Sequence, residues 1–257
     1  MNDDMKIKKA AELIKTSDYI VAFTGAGIST ESGIPDFRSP GGLWEKYNPT
    51  EYAEYSAFLT HPEKYWTMHK ELSQMVLSAK PNPAHSALAD LEHKYGKLKT
   101  VITQNVDFLH SRAGNTNVLE LHGSGQTARC LGCNEEFHYT TVQDMLEKGL
   151  TVPRCPECNG LIKTNTVLFG EPLPIGILEQ ARDEIVTADL LMVIGSSLLV
   201  YPAAALPSLA RETGTRLIII NLEPTMMDGY ATVVIHGKAG QVLPKVYSAF
   251  EELSKSD

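Results

Sequence analysis

The 257-residue chain has four cysteines, placed as two Cys-x-x-Cys pairs, Cys130/Cys133 and Cys155/Cys158, with 21 residues between the second and third. Each pair can set two thiolates on one tight knuckle, and two knuckles complete a tetrahedron around zinc. Four protein ligands leave no open coordination position, so such a metal would hold structure and would not activate water. Two disulfides are the competing chemistry. Residues 1–6, Met-Asn-Asp-Asp-Met-Lys, lack the apolar run of a secretion signal, so a reducing, cytoplasmic setting and one structural zinc are expected. Catalysis must then come from other residues.

Three further groups have the chemistry for it. Gly25-Ala26-Gly27 follows the apolar run Tyr19–Phe23, as in the first turn of a dinucleotide-binding fold, where glycines let backbone amides approach a pyrophosphate. The usual fingerprint is incomplete, because Thr30 stands at its third glycine position and Glu45 precedes Pro49 and not a strand end. An ordinary nicotinamide dehydrogenase is therefore disfavoured. His122 follows the run Val118–Leu121, and imidazole titrates near neutral pH, which suits a general base. Seven other histidines are present, and His110 is the one most easily confused with it. Asn105 and Asp107 follow Val101–Thr103; such residues often only cap loops.

Positioning these groups requires a particular set of elements. Ile7, Ala10, Ala11 and Ile14 share one helical face. Short runs that are apolar on both faces recur at 19–23, 101–102, 118–119, 167–169, 190–194 and 217–220, alternating with helical patterns such as 175–187 and 203–212. That alternation predicts an α/β fold, a Rossmann-like doubly wound parallel sheet covered on both sides. Ligands of such sheets bind beyond the carboxyl ends of the strands. Two stretches break the rhythm. Residues 40–83 look helical, with Phe58, Tyr65, Trp66, Met68, Leu72, Met75 and Val76 packing together, and residues 126–163 carry the cysteines. Both read as insertions forming a small lobe, with 1–39, 84–125 and 164–257 forming the large one.

Bulk composition narrows the class. Hydrophobic residues make up 43% and charged residues 21%, ordinary for a globular protein. A net charge of -8 argues against direct nucleic-acid binding, and no apolar run is long enough to span a membrane. The sequence leaves the oligomeric state open.

The motifs together resemble the sirtuin family of NAD-dependent protein lysine deacylases. The resemblance runs through Gly25-Ala26-Gly27-Ile28-Ser29, Gly33-Ile34-Pro35-Asp36-Phe37-Arg38, Thr103-Gln104-Asn105-Val106-Asp107 and Leu121-His122-Gly123-Ser124. It continues in the four cysteines, Phe169-Gly170-Glu171, Gly195-Ser196-Ser197, Val200-Tyr201-Pro202 and Asn221-Leu222. Two stretches depart from the family pattern: Lys163-Thr164-Asn165-Thr166-Val167, where an Arg-Pro-Asn-Val-Val-like run is usual, and Gly125-Gln126-Thr127-Ala128-Arg129.

The resemblance implies a reaction and a distribution of roles. The acyl-lysine oxygen displaces nicotinamide from NAD, giving an alkylimidate, a base frees the 2′-hydroxyl to attack it, and hydrolysis yields lysine and O-acyl-ADP-ribose. His122 would be that base, Asp107 with Ile34 would hold the nicotinamide carboxamide, and Asn105 would order ribose and water. Asp36, Phe37 and Arg38, with Thr30 and Pro35, would form a cofactor loop in which Phe37 shields the reactive carbon. Gln104, Val106, Gly195, Ser196, Ser197, Asn221, Leu222, Glu223 and Ala239 complete the expected cofactor contacts. Val167 and Phe169 would wall the acyl-lysine chain, while Gly170-Glu171 and Leu199-Val200 would pair with the substrate peptide as an added strand. Acetylated proteins or peptides would be the partners.

Relatives that prefer malonyl- or succinyl-lysine carry a Tyr and an Arg three residues apart on a small-lobe helix. A gapless alignment puts His69 and Leu72 there, so neutral acyl groups, acetyl first, are expected. A mono-ADP-ribosyltransferase using the same cofactor activation, and a zinc-ribbon binding module without catalysis, remain as alternatives at this level.

Overall fold

The computed structural model describes residues 2–255 and divides into two compact units. The first takes the chain through Asp36, Ala79–Leu121 and Ile175 onward; the second takes Phe37–Ser78 and His122–Pro174. The expected lobe limits therefore shift, most of all at residues 164–174, which group with the cysteines. Backbone hydrogen bonds explain it: the amide of Val167 donates to the carbonyl of His122, and that of Phe169 to Ala53.

In the first unit, α1 (Asp3–Lys15) starts where the Asn2 side chain accepts from the amide of Met5 at 2.9 Å, a cap that satisfies an otherwise orphaned donor. Its Ala10, Ala11 and Ile14 are fully buried and Ile7 packs beside them. Strands β1 (Ile20–Thr24), β2 (Leu98–Thr103), β3 (Val118–Glu120), β7 (Leu190–Ile194), β8 (Arg216–Asn221) and β9 (Val233–His236) form one parallel sheet in the order β3-β2-β1-β7-β8-β9. β1 and β7 are buried along their whole length, as a sheet covered on both faces requires. Chain progression reverses between β1 and β7, so the loops after these two strands lie together at the switch point. The helices α6 (Pro83–His93), α9 (Ile175–Thr187) and α11 (Ala239–Ser254) belong to this unit.

Two expectations fail here. The run Val167–Phe169 is not part of the parallel sheet; it follows an antiparallel strand, and the amides of Val167 and Phe169 donate to His122 and Ala53 while that of Leu168 donates to Glu171. A short apolar run does not reveal which sheet it joins. The helix expected over 203–212 is a 3-10 stretch, Ala203–Ser208, followed by the short α10 (Leu209–Thr213). Pro207 lies in the 3-10 part, and it has no amide to donate to an α-helical ladder.

In the second unit, the helices α2 (Leu43–Lys46), α3 (Pro49–Tyr52), α4 (Tyr55–Thr60) and α5 (Pro62–Ser78) accompany a sheet of order β5-β4-β6. Its strands are β4 (Gly123–Cys130), β5 (Glu136–His138) and β6 (Ile162–Thr166), all antiparallel. Phe58, Tyr65, Trp66 and Met68 form the expected aromatic core, with Leu72 at its margin; it also takes in Val142, Ile162 and Leu168. Met75 and Val76 are only partly buried and lie outside that core.

Candidate active site and metal centre

At the switch point the loops after β1 and β7 touch backbone to backbone. The amide of Gly27 donates to the carbonyl of Gly195 at 2.8 Å. A side chain at Gly25 or Gly27 would come within 2.9 Å of that carbonyl or closer, and Gly195 itself has φ +61. The glycines are thus required first by this loop contact, with the phosphate-facing role of such turns built on it. Ser196 is buried and Ser197 exposed; the Ser196 hydroxyl accepts from the Gln104 amide at 2.8 Å.

The loop after β2 is knitted to the same place. Asn105 donates its side-chain amide to the carbonyl of Gly25 and to the Ser29 hydroxyl, each at 3.2 Å. Ser29 in turn donates to Asp107 at 2.6 Å, and the other carboxylate oxygen of Asp107 accepts from the amide of Leu109 at 2.9 Å. Asn105 and Asp107 do cap their loop, as such residues often do, and they also converge on the β1 loop. Ser29 joins them and was given no role by sequence reasoning, although it ends the Gly-Ala-Gly-Ile-Ser motif. Asn82 was missed as well. It caps α6 and holds the carbonyl of Ile28 at 2.7 Å, and its signal was the Asn-Pro start of a helix.

The two competing histidines separate clearly. His110 is 2% exposed, with Nε2 2.9 Å from the Thr24 hydroxyl, and burial beside His85 pushes it down to about 3. It is a core residue. His122 is half-buried and directly follows Leu121, whose amide pairs with Thr103 on the edge of the parallel sheet. Two residues earlier, burial pushes the Glu120 carboxyl up to about 7, with the charge of Asp107 adding to the effect.

The remaining expected cofactor residues take different positions. Thr30, Ile34, Pro35, Asp36 and Val106 are half-buried, and Ala26 is similar. At the end of β8, Asn221 is buried and donates to the carbonyl of Glu223 at 2.7 Å, while Leu222 and Glu223 beyond it are exposed. The Ala239 side chain lies in the core, so only its backbone at the start of α11 can face a ligand. In the second unit, Phe37 is 36% exposed with its ring 5.0 Å from Trp44, and Arg38 is exposed. The hydroxyl and amide groups at the carboxyl ends of β1, β2, β7 and β8 suit the ribose hydroxyls and phosphates of a dinucleotide.

The four cysteines meet as their spacing predicts. All four sulfurs lie within 4.8 Å of one another, with Cys130 to Cys158 at 3.4 Å and Cys133 to Cys155 at 3.7 Å. Bonds of about 2.3 Å to a tetrahedral zinc imply sulfur separations of about 3.8 Å, whereas a disulfide needs about 2.0 Å. The set fits zinc. The two knuckles repeat one geometry: the carbonyl of Cys130 accepts from Asn134, that of Cys155 from Asn159, and both asparagines are left-handed at φ 61 and 59. Asparagine adopts that conformation at low cost. A side chain at Gly160 would stand 2.7 Å from the Cys130 sulfur, so this glycine is needed to let the second knuckle close on the first.

Comparison with known proteins settles the lineage. The Sir2 family model matches residues 25–202. The chain is 49% identical over 249 residues to the NAD-dependent protein deacylase 2 of Archaeoglobus fulgidus, covering 96% of this chain and 97% of that one. It belongs to the Sir2 family. A solved Sir2 enzyme superimposes with a TM-score of 0.92 at 48% identity, covering 97% of this chain and 99% of that one. Another, with a deacetylated p53 peptide and 3′-O-acetyl ADP-ribose, gives 0.90 at 41% identity, covering 94% and 97%.

Within this Sir2 chain the two departures from the family pattern turn out to face each other. Gly125–Arg129 lies on β4 and Lys163–Thr166 on β6, where Ser124 pairs with Asn165 and Ala128 with Thr164 across an irregular register. Asn165 also donates to the Thr127 hydroxyl at 2.8 Å. Gly123 has φ +70, and a side chain there would meet the carbonyl of Asn165 at 2.0 Å. Beyond β6, the carbonyl of Phe169 accepts from Tyr55 at 2.9 Å and its ring stays 41% exposed. Gly170 is left-handed at φ +87, and Val167 is half-buried. The Glu171 carboxylate is turned inward to Lys163 at 2.9 Å, so its side chain is not offered to a peptide. Leu199 is exposed and Val200 half-buried in the first unit.

Proposed function

We propose that the chain is an NAD-dependent protein lysine deacylase of the cytoplasm, acting on neutral acyl groups with acetyl first. The observation that carries the reading is the web of Ser29, Asn105 and Asp107 around the Gly25 loop, in a chain of the Sir2 family. NAD supplies the activated glycosidic carbon and accepts the acyl group; lysine, nicotinamide and O-acetyl-ADP-ribose are the products. Asp107, fixed by Ser29 and by the amide of Leu109, presents a rigid acceptor to the nicotinamide carboxamide, with Ile34 beside it. Asn105 spends its amide nitrogen on Gly25 and Ser29, which leaves its Oδ1 to order a ribose hydroxyl or water. The loop after β7 and Asn221 serve the phosphates and the adenosine ribose.

His122 is the general base for a ribose hydroxyl, a role that imidazole fills at neutral pH. The cysteines hold one structural zinc, and their use as thiolates supports a reducing compartment. Neutral acyl preference is supported at α5, where His69 and Leu72 stand at the two aligned positions. Burial pushes His69 down to about 4, and Leu72 carries no charge, so neither can pair with a distal carboxylate at neutral pH. Mass spectrometry of NAD incubated with acetyl-, propionyl- and succinyl-lysine peptides tests the reading. Nicotinamide release matched by acetyl loss supports it. Nicotinamide release with ADP-ribose attached to protein and the acetyl group retained would show a transferase instead.

A further inference from the structure

Lys163 is one of the departures from the family pattern, and its side chain is only 3% exposed. An ammonium has three donors, and here all three are used. It donates to the carbonyl of Thr164 at 3.0 Å, to that of Thr166 at 2.6 Å, and to Glu171 at 2.9 Å. The same Glu171 oxygen accepts from the amide of Leu168 at 2.9 Å. Every acceptor lies within eight residues of Lys163, so the clamp ties no distant elements together. What it defines is the path of residues 164–171.

A hydroxyl cluster lies along the same stretch. Thr164 and Thr166 share a bond of 2.8 Å, and both meet the Tyr65 hydroxyl of α5. Burial pushes that phenol up to about 12, so it stays neutral. The polar groups face inward while Phe169 remains exposed. A buried ion pair is weak evidence for stability, and here every bond the ammonium makes falls on the stretch whose path it would fix.

We propose that Lys163 is a positioning residue for the acyl-lysine substrate: its ammonium sets the backbone of residues 164–171, and thereby the walls at Val167 and Phe169, without touching substrate or cofactor. The inference rests on the deacylase reading for what those walls receive. It also means that this ammonium is fully committed and cannot serve a carboxylated acyl group.

The test compares the wild type with K163R, and with K163M/E171Q, in which no uncompensated carboxylate is left buried. The expected result is a rise of about tenfold in KM for an acetyl-lysine peptide in the double variant and a smaller rise in K163R. KM for NAD should stay within twofold and zinc at one per chain. Hydrogen exchange should accelerate at the amides of 164–171 only. A peptide KM within twofold of wild type in both variants overturns the proposal, as does a parallel rise in KM for NAD. If only K163R folds, its own split between the two KM values decides. A wild type that binds and deacylates no peptide would refute the deacylase reading; unaltered exchange at 164–171 would refute the clamp whether or not that reading holds.

Discussion

The two units reach stability by different means. The parallel-sheet unit buries a continuous apolar core, in which Ile20, Ala22, Ile194, Ile218, Leu243 and Phe250 are fully inaccessible. The second unit has a smaller core, and two of its buried members are cysteines, Cys130 and Cys155. Both units also hold buried polar networks, Thr24 with Thr103 and His110 in the first and Lys163–Glu171 with the Thr164–Thr166 pair in the second. Small cores supply little net stability and are commonly stapled by a metal. The first unit should therefore survive perturbations that dismantle the second.

Removing the zinc gives the largest separation. Structural zinc contributes about 10–16 kcal/mol of apparent binding energy in small zinc domains at neutral pH, so Cys130→Ser or Cys155→Ser should expose residues 122–174 to protease. Amides of β1 and β7 should stay protected in hydrogen exchange. Purified protein should carry one zinc per chain, and a zinc-free, fully active enzyme with four reduced thiols would remove the contrast.

His122→Ala should leave both units folded and NAD binding intact while turnover falls by roughly 10²–10⁴-fold or more, the range for a general base. Deacetylation near the wild-type rate would sink the assignment. His110→Gln should do the opposite, lowering the melting temperature of the parallel-sheet unit through a core defect near Thr24.

The proposed acyl preference rests on His69 and Leu72 of the second unit. A carboxylate in an apolar site without a partner costs several kcal/mol, on the order of a thousandfold in efficiency. Succinyl-lysine should therefore be poorer than acetyl-lysine by about that factor in kcat/KM on matched peptides. Equal values would show that His69 and Leu72 do not govern the acyl end.

Acid should produce the smallest effect. Burial lowers His69 to about 4 from an ordinary value of 6.5, so between those values the unfolded chain binds more protons than the folded one. Stability contributed by the neutral imidazole is complete above pH 6.5 and is lost as the pH falls toward 4. His69→Gln should make urea unfolding less sensitive to acid between pH 7 and 5, by on the order of 1 kcal/mol. His85 and His110, at about 4 and 3, keep the first unit acid-sensitive in the same variant.

Local pattern was enough wherever the physics is local. The cysteine spacing implied a tetrahedron because each knuckle closes within four residues. The doubly wound sheet followed from apolar runs alternating with helical periods, since covering both faces of a strand leaves a mark on every residue in it. His122, Asn105 and Asp107 could be singled out as candidates because ligands of such folds bind beyond strand ends; their catalytic roles are part of the proposal. Other features had no local mark. Val167–Phe169 reads as a strand of the parallel sheet until its hydrogen-bond partners, Ala53 and Tyr55, are known, and these are more than a hundred residues away. The Leu-His-Gly-Ser context already favoured His122 over His110, but that His110 is a core residue bonded to Thr24 came only from the fold, because its burial depends on elements far apart in the chain. The Lys163 clamp was hidden for another reason. Its residues are close in sequence, but whether a lysine is buried and fully bonded depends on what packs over it, and that is a property of the folded molecule.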